Sequence, residues 1–369
     1  MKKMIKLLIV LLCILCFLVL AVFLFINLYR PFGGVPNKED MNDYQKRSSN
    51  FKDGKFYNDN FSLYSDWTDP YSDRTTGKGV KPVKKIKSEK FNYQKNYDVD
   101  DVLITWFGHS TVLIQMHNQN ILIDPIFSER SSPFSFVGPK RFSEIPASVK
   151  MLPHIDMVVL THDHYDHVDY KTLEALKNKV DKFIVPLGID KDLEKFGIDK
   201  SKITNMAWWE EINVDGLLIA CCPSRHFAGR YIIDSGKALW SSWIFKDEYN
   251  TIFNSGDGGY GEHFKQIKEK YGDISLSLLD SAQYNVRWHG VHMFPEEAVD
   301  AAIDLGSKVA MPVHFGAFVL SNHAWDDPVH RFTRRAKELN LEYMSPKLGQ
   351  TVSLKNYKNY QTEWWKNIK

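Results

Sequence analysis

Cysteine is scarce in this chain: there are four in 369 residues. Cys13 and Cys16 lie inside an apolar run, and Cys221 and Cys222 are adjacent, a spacing that bridges only with strain. The set therefore gives neither a disulfide framework nor a zinc site built on thiolates. A surplus of charge is also missing. The formal net charge is only +2, which excludes a nucleic-acid binder driven by phosphate neutralisation. There is no internal repeat and no low-complexity tract. A hydrophobic content of 44% with 25% charged residues is the composition of a globular chain with a sizeable core. Aromatic residues reach 14%. Many are tryptophans, at Trp208, Trp209, Trp240, Trp243, Trp288, Trp325, Trp364 and Trp365. Core packing is the expectation for them, and a lipid-facing role for Trp364 and Trp365 is the alternative.

The N-terminus carries the one long apolar run, Leu7 to Ile26, twenty residues without a charge. That length suits a helix crossing the hydrocarbon core, which needs roughly 20 residues. Lys2, Lys3 and Lys6 precede it, so the N-terminus is expected in the cytoplasm and the remainder outside the cell. A cleavable signal peptide is the rival, with a usually shorter apolar region and a small-residue cleavage site. The expected organisation is a cytoplasmic segment 1–6, a single-pass anchor 7–28, a polar linker or arm 29–97, a catalytic domain 98–356 and a tail 357–369. The basic stretch 78–87 reads as a solvated arm, or as a segment lying on anionic headgroups.

Beyond residue 98 apolar runs of strand length alternate with helical patterns. Val102–Phe107, Thr111–Met116 and Asn120–Asp124 read as strands, with a hairpin turn at 117–119. Further strands are expected at Asp156–Thr161, Phe183–Leu187, Leu217–Cys222, Leu239–Phe245, Thr251–Asn254, Ile274–Leu279 and Val309–Val313. Helices are expected at about 168–180, 262–270, 295–305 and 329–339. The pattern fits an α/β (α+β) domain of two sheets with helices on the outer faces.

The run Asp156–Thr161 leads directly into His162-Asp163-His164-Tyr165-Asp166-His167. Three of the chain's 13 histidines fall in these six residues. A loop at a strand end is held by the sheet, so it can present ligands precisely. Imidazoles with a carboxylate suit zinc, and the pattern H-x-H-x-D-H can divide into two sets aimed at two neighbouring cations. Four ligands are too few for two metals. His226, Asp257 and His314 each follow another strand-like run, as a ligand at the rim of a sheet should. Each alone would be read as structural; together they point to a shared site.

This order of ligands resembles the metallo-β-lactamase superfamily. The resemblance implies an αββα sandwich with two Zn2+ ions, with Mn2+ or Fe2+ as alternatives. His162, His164 and His226 would hold one ion, Asp166, His167 and His314 the other, and Asp257 would bridge. A bridging hydroxide would be the nucleophile. The flanking blocks WFGHST, DPIFSER, SRHF, GDGGY, HMFPEEA and PVHFG resemble the N-acylphosphatidylethanolamine-hydrolysing phospholipase D branch, over about Val102 to Ser353. Asp166 and His292 then carry the implied catalytic roles, His292 beside the departing oxygen. Arg287 and Trp288 are expected to line the substrate site, and His109 to support a ligand or to serve as a turn residue. The implied partners are a membrane phospholipid and the bilayer, with no nucleic acid; a homodimer is compatible. Two other readings stand beside this one: a zinc-dependent hydrolase of a carbonyl substrate such as a lactone or β-lactam, and a non-catalytic membrane protein that keeps a metal site.

Overall fold

In the computed structural model, which describes residues 2–58, 77–231 and 234–368, the strands alternate between two apolar environments. Ile121 and Ile123 face one side and Leu122 the other; Met157 and Val159 oppose Val158 in the same way. Period-two alternation with both faces apolar is the pattern of a strand covered on both sides.

The first elements are helix α1 (Lys2–Leu28), helix α2 (Lys38–Arg47) and the short hairpin β1 (Phe51–Lys52) and β2 (Lys55–Phe56). Next come β3 (Leu103–Gly108), β4 (Thr111–Met116), β5 (Gln119–Ile123), β6 (Ile155–Val159), α3 (Tyr170–Leu176), β7 (Val180–Pro186), α4 (Ile189–Phe196) and β8 (Ile203–Met206). These strands, with β16 (Thr351–Ser353) closing from the far end of the chain, form a seven-stranded sheet ordered β16-β3-β4-β5-β6-β7-β8. The second half contributes β9 (Glu211–Val214), β10 (Leu217–Cys222), β11 (Ser242–Lys246), β12 (Thr251–Asn254), α5 (His263–Tyr271), β13 (Leu276–Asp280), α6 (Pro295–Asp304), β14 (Val309–Val313), α7 (Asp327–Glu338) and β15 (Glu342–Tyr343). They make the second sheet, β15-β14-β13-β12-β11-β10-β9. Each sheet is antiparallel on one side and parallel on the other, where helices return the chain.

Ile104, Trp106, Ile114, Ile219, Trp243, Leu278 and Met311 fill the space between the sheets. Outside the first sheet lie α3 and α4, through Leu173, Leu176, Leu193 and Phe196. Outside the second lie α5, α6 and α7, through Phe264, Ala298, Ala302 and Phe332. The expected αββα sandwich is therefore present.

Local differences have physical causes. The helix expected over 168–180 begins only at Tyr170, because the Asp169 side chain accepts from the Lys171 N–H as its N-cap. It ends at Leu176, and Val180 belongs to β7. The 29–97 segment is not a bare linker where it is described. Asn37 caps α2 with a reciprocal bond from Asp40. Tyr44, Phe51 and Phe56 bury their rings against one another and the α3–α4 side of the sandwich. In the basic stretch, Ile86 is buried and exchanges backbone hydrogen bonds with Phe142 and Glu144. Residues 59–76 lie outside the described residues. The tail also joins the core: Trp365 is fully buried, Trp364 packs against Trp106 and Trp325, and the Trp365 indole N–H donates to His330 Nδ1. That burial replaces the lipid contact raised for this pair.

No residue of helix α1 is buried within the molecule, and its mean hydropathy is 3.6 over an 18-residue window. At 1.5 Å per residue it is long enough to cross a hydrocarbon core of about 30 Å.

Candidate metal centre

The loops that follow β3, β6, β10, β12 and β14, with the C-terminal end of β13, converge on one rim of the sandwich. They bring together all seven residues expected as ligands. His162 Nε2 lies 2.9 Å from His164 Nδ1, and His226 Nε2 lies 3.2 Å from the same atom. On the other side, His314 Nε2 is 3.2 Å from His167 Nε2 and 3.2 Å from Asp166 Oδ2. Asp257 Oδ2 stands between the sets. It is 3.2 Å from both His167 and His314, 3.8 Å from His162 and 4.0 Å from His226. One oxygen within reach of both groups is what a bridging ligand requires.

These spacings fit a bound cation. A tetrahedral ion at about 2.0–2.1 Å from each imidazole nitrogen separates those nitrogens by about 3.3 Å. Convergent nitrogen lone pairs would otherwise repel. Tautomers are fixed from behind. The His226 Nδ1–H donates to the Val291 carbonyl at 2.9 Å, leaving the Nε2 lone pair to face the cluster, where it could take a metal. His167 Nδ1 donates to Asp124 Oδ2 at 2.7 Å, and Thr161 Oγ1 lies 3.0 Å from His162 Nδ1 while donating to the same Asp124 oxygen. His314 Nδ1 faces Asp280 Oδ1 at 3.3 Å.

Electrostatics separate the two sets. Burial and neighbouring imidazoles hold His162 and His226 well below the ordinary histidine range, and burial takes His164 down to about 4. These three rings are neutral at pH 7, ready to ligate. Burial also opposes charge on His167 and His314, but Asp257 and other carboxylates outweigh it. His167 is held well above its usual value, and His314 rises to about 10. Asp166 and Asp257 are driven well below the carboxylate range, against their burial, first of all by His167. Without metal the second set is thus a buried cluster of paired charges, in which protons occupy the place of a cation.

His109 falls beside the cluster. Its Nε2 contacts Asp166 Oδ2 at 2.7 Å, and its ring lies tilted against that of His314, 4.2 Å between centroids. His292 reaches the site through the turn before α6, with Nδ1 3.0 Å from Asp280 Oδ2. Arg287 and Trp288 sit on the short 3-10 turn Val286–Val291 leading to His292. Trp288 directs its indole N–H to the Gln283 carbonyl, 2.7 Å away. Two supporting carboxylates, Asp124 and Asp280, escaped the sequence reading. Both stand at the end of a buried strand run, the same position that marked the ligands. The GDGG turn is obligatory: a Cβ on Gly259 would lie 2.0 Å from the Gly290 carbonyl oxygen. His109, Asp124 and His314 adopt positive φ, strain that concentrates at the site.

Comparison with known proteins identifies the family. The family described as the beta-lactamase superfamily domain matches residues 119–315. An uncharacterized protein of Mycobacterium tuberculosis is 39% identical over 69% of this chain and 69% of its own. The N-acyl-phosphatidylethanolamine-hydrolyzing phospholipase D 1 of Caenorhabditis elegans is 30% identical over 67% of this chain and 71% of its own. Among solved structures, a metallo hydrolase of Ignicoccus hospitalis superposes with a TM-score of 0.53 over 69% of this chain and 98% of the other, at 23% identity. The chain belongs to the metallo-β-lactamase superfamily, as a metal-dependent hydrolase of its N-acylphosphatidylethanolamine phospholipase D-like branch.

Proposed function

We propose that this protein is a membrane-anchored phosphodiesterase that hydrolyses N-acylphosphatidylethanolamine or a related phospholipid at a centre of two zinc ions. The observation that carries this reading is the single carboxylate oxygen of Asp257 between two histidine sets, at the rim where the family resemblance is concentrated. Two divalent cations would neutralise the phosphodiester oxygens and lower the pKa of a shared water.

The chain's own residues set the rest. Asp257 and Asp166 are ionised, so they supply negative charge to hold cations and do not act as proton donors. His109 orients Asp166 through Oδ2. His292 is half-buried at the mouth, and Asp280 engages its Nδ1. Nε2 is then the ring nitrogen that can deliver a proton to the departing alkoxide of the headgroup. Arg287 and Trp288, on the turn before His292, would line the headgroup path. Helix α1 would hold the enzyme in the membrane that contains its substrate, with Lys2, Lys3 and Lys6 on the cytoplasmic side and the catalytic domain outside. Alkaline phosphatase fused after Arg30 should be active; an inactive fusion overturns that orientation.

The reaction is tested by mass spectrometry of the products. The zinc-loaded full chain is incubated with mixed phospholipids that include N-acylated phosphatidylethanolamine, beside a variant with His162→Ala and His164→Ala. Metal-dependent phosphatidic acid with N-acylethanolamine is the expected result. A protein that holds both metals and cleaves no phospholipid refutes the proposal.

A further inference from the structure

The apolar helix does not leave the domain on a free tether. Its exit, Tyr29 to Gly34, is seated against the loop that carries the metal ligands. Gly34 N–H donates to Asp192 Oδ1 at 2.8 Å, and a Cβ at Gly34 would lie 2.2 Å from the Lys191 carbonyl oxygen. The connection is Arg230, whose guanidinium is buried and stacks 4.2 Å over Tyr165. It donates to the Pro31 carbonyl at 2.9 and 3.3 Å, and also to the carbonyls of Asp163 at 2.6 Å and Val168 at 3.0 Å. Asp163 and Val168 bracket His164, Asp166 and His167. One buried cation thus ties the end of the helix to the metal loop.

Beside this seat runs the loop 131–138, sequence SSPFSFVG. The Tyr29 hydroxyl donates to the Pro133 carbonyl at 2.7 Å. The Phe134 ring packs 5.4 Å from Tyr29, 5.9 Å from Phe32 and 6.4 Å from Phe25. Phe25 belongs to the last apolar turn of the helix, so Phe134 sits at the depth where the helix leaves the hydrocarbon. Phe136 continues outward, 5.5 Å from Phe134 and 79% exposed, with Val137 next to it 50% exposed. Together with the exposed apolar face of the helix end, these side chains make a contiguous apolar patch of the kind that marks a membrane or protein contact. Between this loop and the helix end lies a cleft of about 710 Å³, where Arg30, Arg130 and Lys171 outnumber Glu129 and Asp169. Aromatic tips beside cations, level with the end of a spanning helix, match the chemistry of a phospholipid headgroup layer.

We propose that the loop 131–138 is a membrane wedge. Phe136 and Val137 enter the interfacial layer of the leaflet from which α1 emerges, and the basic cleft meets lipid phosphates there. The metal loop, tied to the same seat, is thereby held facing the bilayer, and substrate enters from the lipid side. This rests on α1 spanning a membrane.

The test uses the full chain in phosphatidylcholine–phosphatidylglycerol nanodiscs, with Cys13→Ser and Cys16→Ser; Cys221 and Cys222 are buried. An environment-sensitive fluorophore is attached in turn through Phe17→Cys in the helix, Phe136→Cys in the loop and Tyr249→Cys in the turn at the opposite rim. Lipids carrying doxyl quenchers report contact with the bilayer. The expected result is a blue shift and loss of emission at 17 and 136, with none at 249. Quenching at 17 but not at 136 overturns the wedge and leaves the anchor standing. No quenching at 17 removes the spanning helix, and the wedge with it. Quenching at all three sites shows no preferred face and also overturns the proposal.

Discussion

The most informative substitution outside the ligands is Asp124→Asn. Asp124 is fully buried and accepts three hydrogen bonds: from the Thr161 N–H at 2.9 Å, the Thr161 hydroxyl at 2.7 Å and His167 Nδ1 at 2.7 Å. Asparagine has the same shape but one accepting oxygen, so the change does not open a cavity. If its amide oxygen takes the Oδ1 position and keeps the Thr161 N–H, its NH2 replaces Oδ2 and faces both the Thr161 hydroxyl and His167 Nδ1. That atom must then accept, which moves the ring proton to Nε2, the atom 3.2 Å from both His314 and Asp257. A ligand nitrogen that carries a proton cannot bind metal. Loss of such a supporting group typically costs about 10–100-fold in metal affinity, or about 1.4–2.7 kcal/mol. The larger effect should fall on the Asp166–His167–His314 side, because His167 bonds Asp124 directly while His162 meets it only through the Thr161 hydroxyl, and His226 and His164 have no bond to it. Metal titration against a competing chelator, followed to stoichiometry, checks this: one ion should be weakened and the other retained. Two ions bound with unchanged affinity would refute the reasoning.

Other outcomes follow from the same geometry. His292→Ala should lower turnover by about 10²–10⁴-fold while both metals stay bound, as judged by metal analysis of the purified variant; lost metal would contradict its assigned role. His167 and His314 are both protonated in the metal-free protein at pH 7, since their values are raised well above the usual one and to about 10. Metal binding at pH 7 should therefore expel about two protons from these rings, and affinity should rise with pH. Calorimetry in buffers of different ionisation enthalpy measures the number, and no buffer dependence would contradict the charge assignment. Trp365→Ala should destabilise the domain by about 3–5 kcal/mol in chemical unfolding, because the indole is fully buried against Trp364 and His330. A change near zero would mean that the tail is not part of the core.

The candidate ligands were legible because each follows a buried strand, and a sheet delivers its strand ends to one rim whatever the loops between them do. His226, Asp257 and His314 could be paired with the HxHxDH loop on that rule alone. Asp124 and Asp280 obey the same rule, in ILID and LSLLD, yet an aspartate after a strand is also an ordinary turn residue. Their purpose shows only when the ends of β5 and β6, and of β13 and β14, stand side by side. Edge strands β8 and β9 are half-exposed and carry polar residues, so no apolar run announced them. The arm before residue 58 looked like a linker because its folding rests on three aromatic rings among polar residues. Trp364 and Trp365 could not be placed from sequence, since an indole suits a core and a lipid interface equally.

The central claim is that water attacks phosphorus at a two-metal centre. The direct measurement is the reaction of the zinc-loaded full chain, in nanodiscs containing N-acylated phosphatidylethanolamine, in water enriched in heavy oxygen. The account predicts the heavy isotope in the phosphate of phosphatidic acid and none in the N-acylethanolamine. Heavy oxygen in a released fatty acid would show attack on a carbonyl instead, and would contradict it.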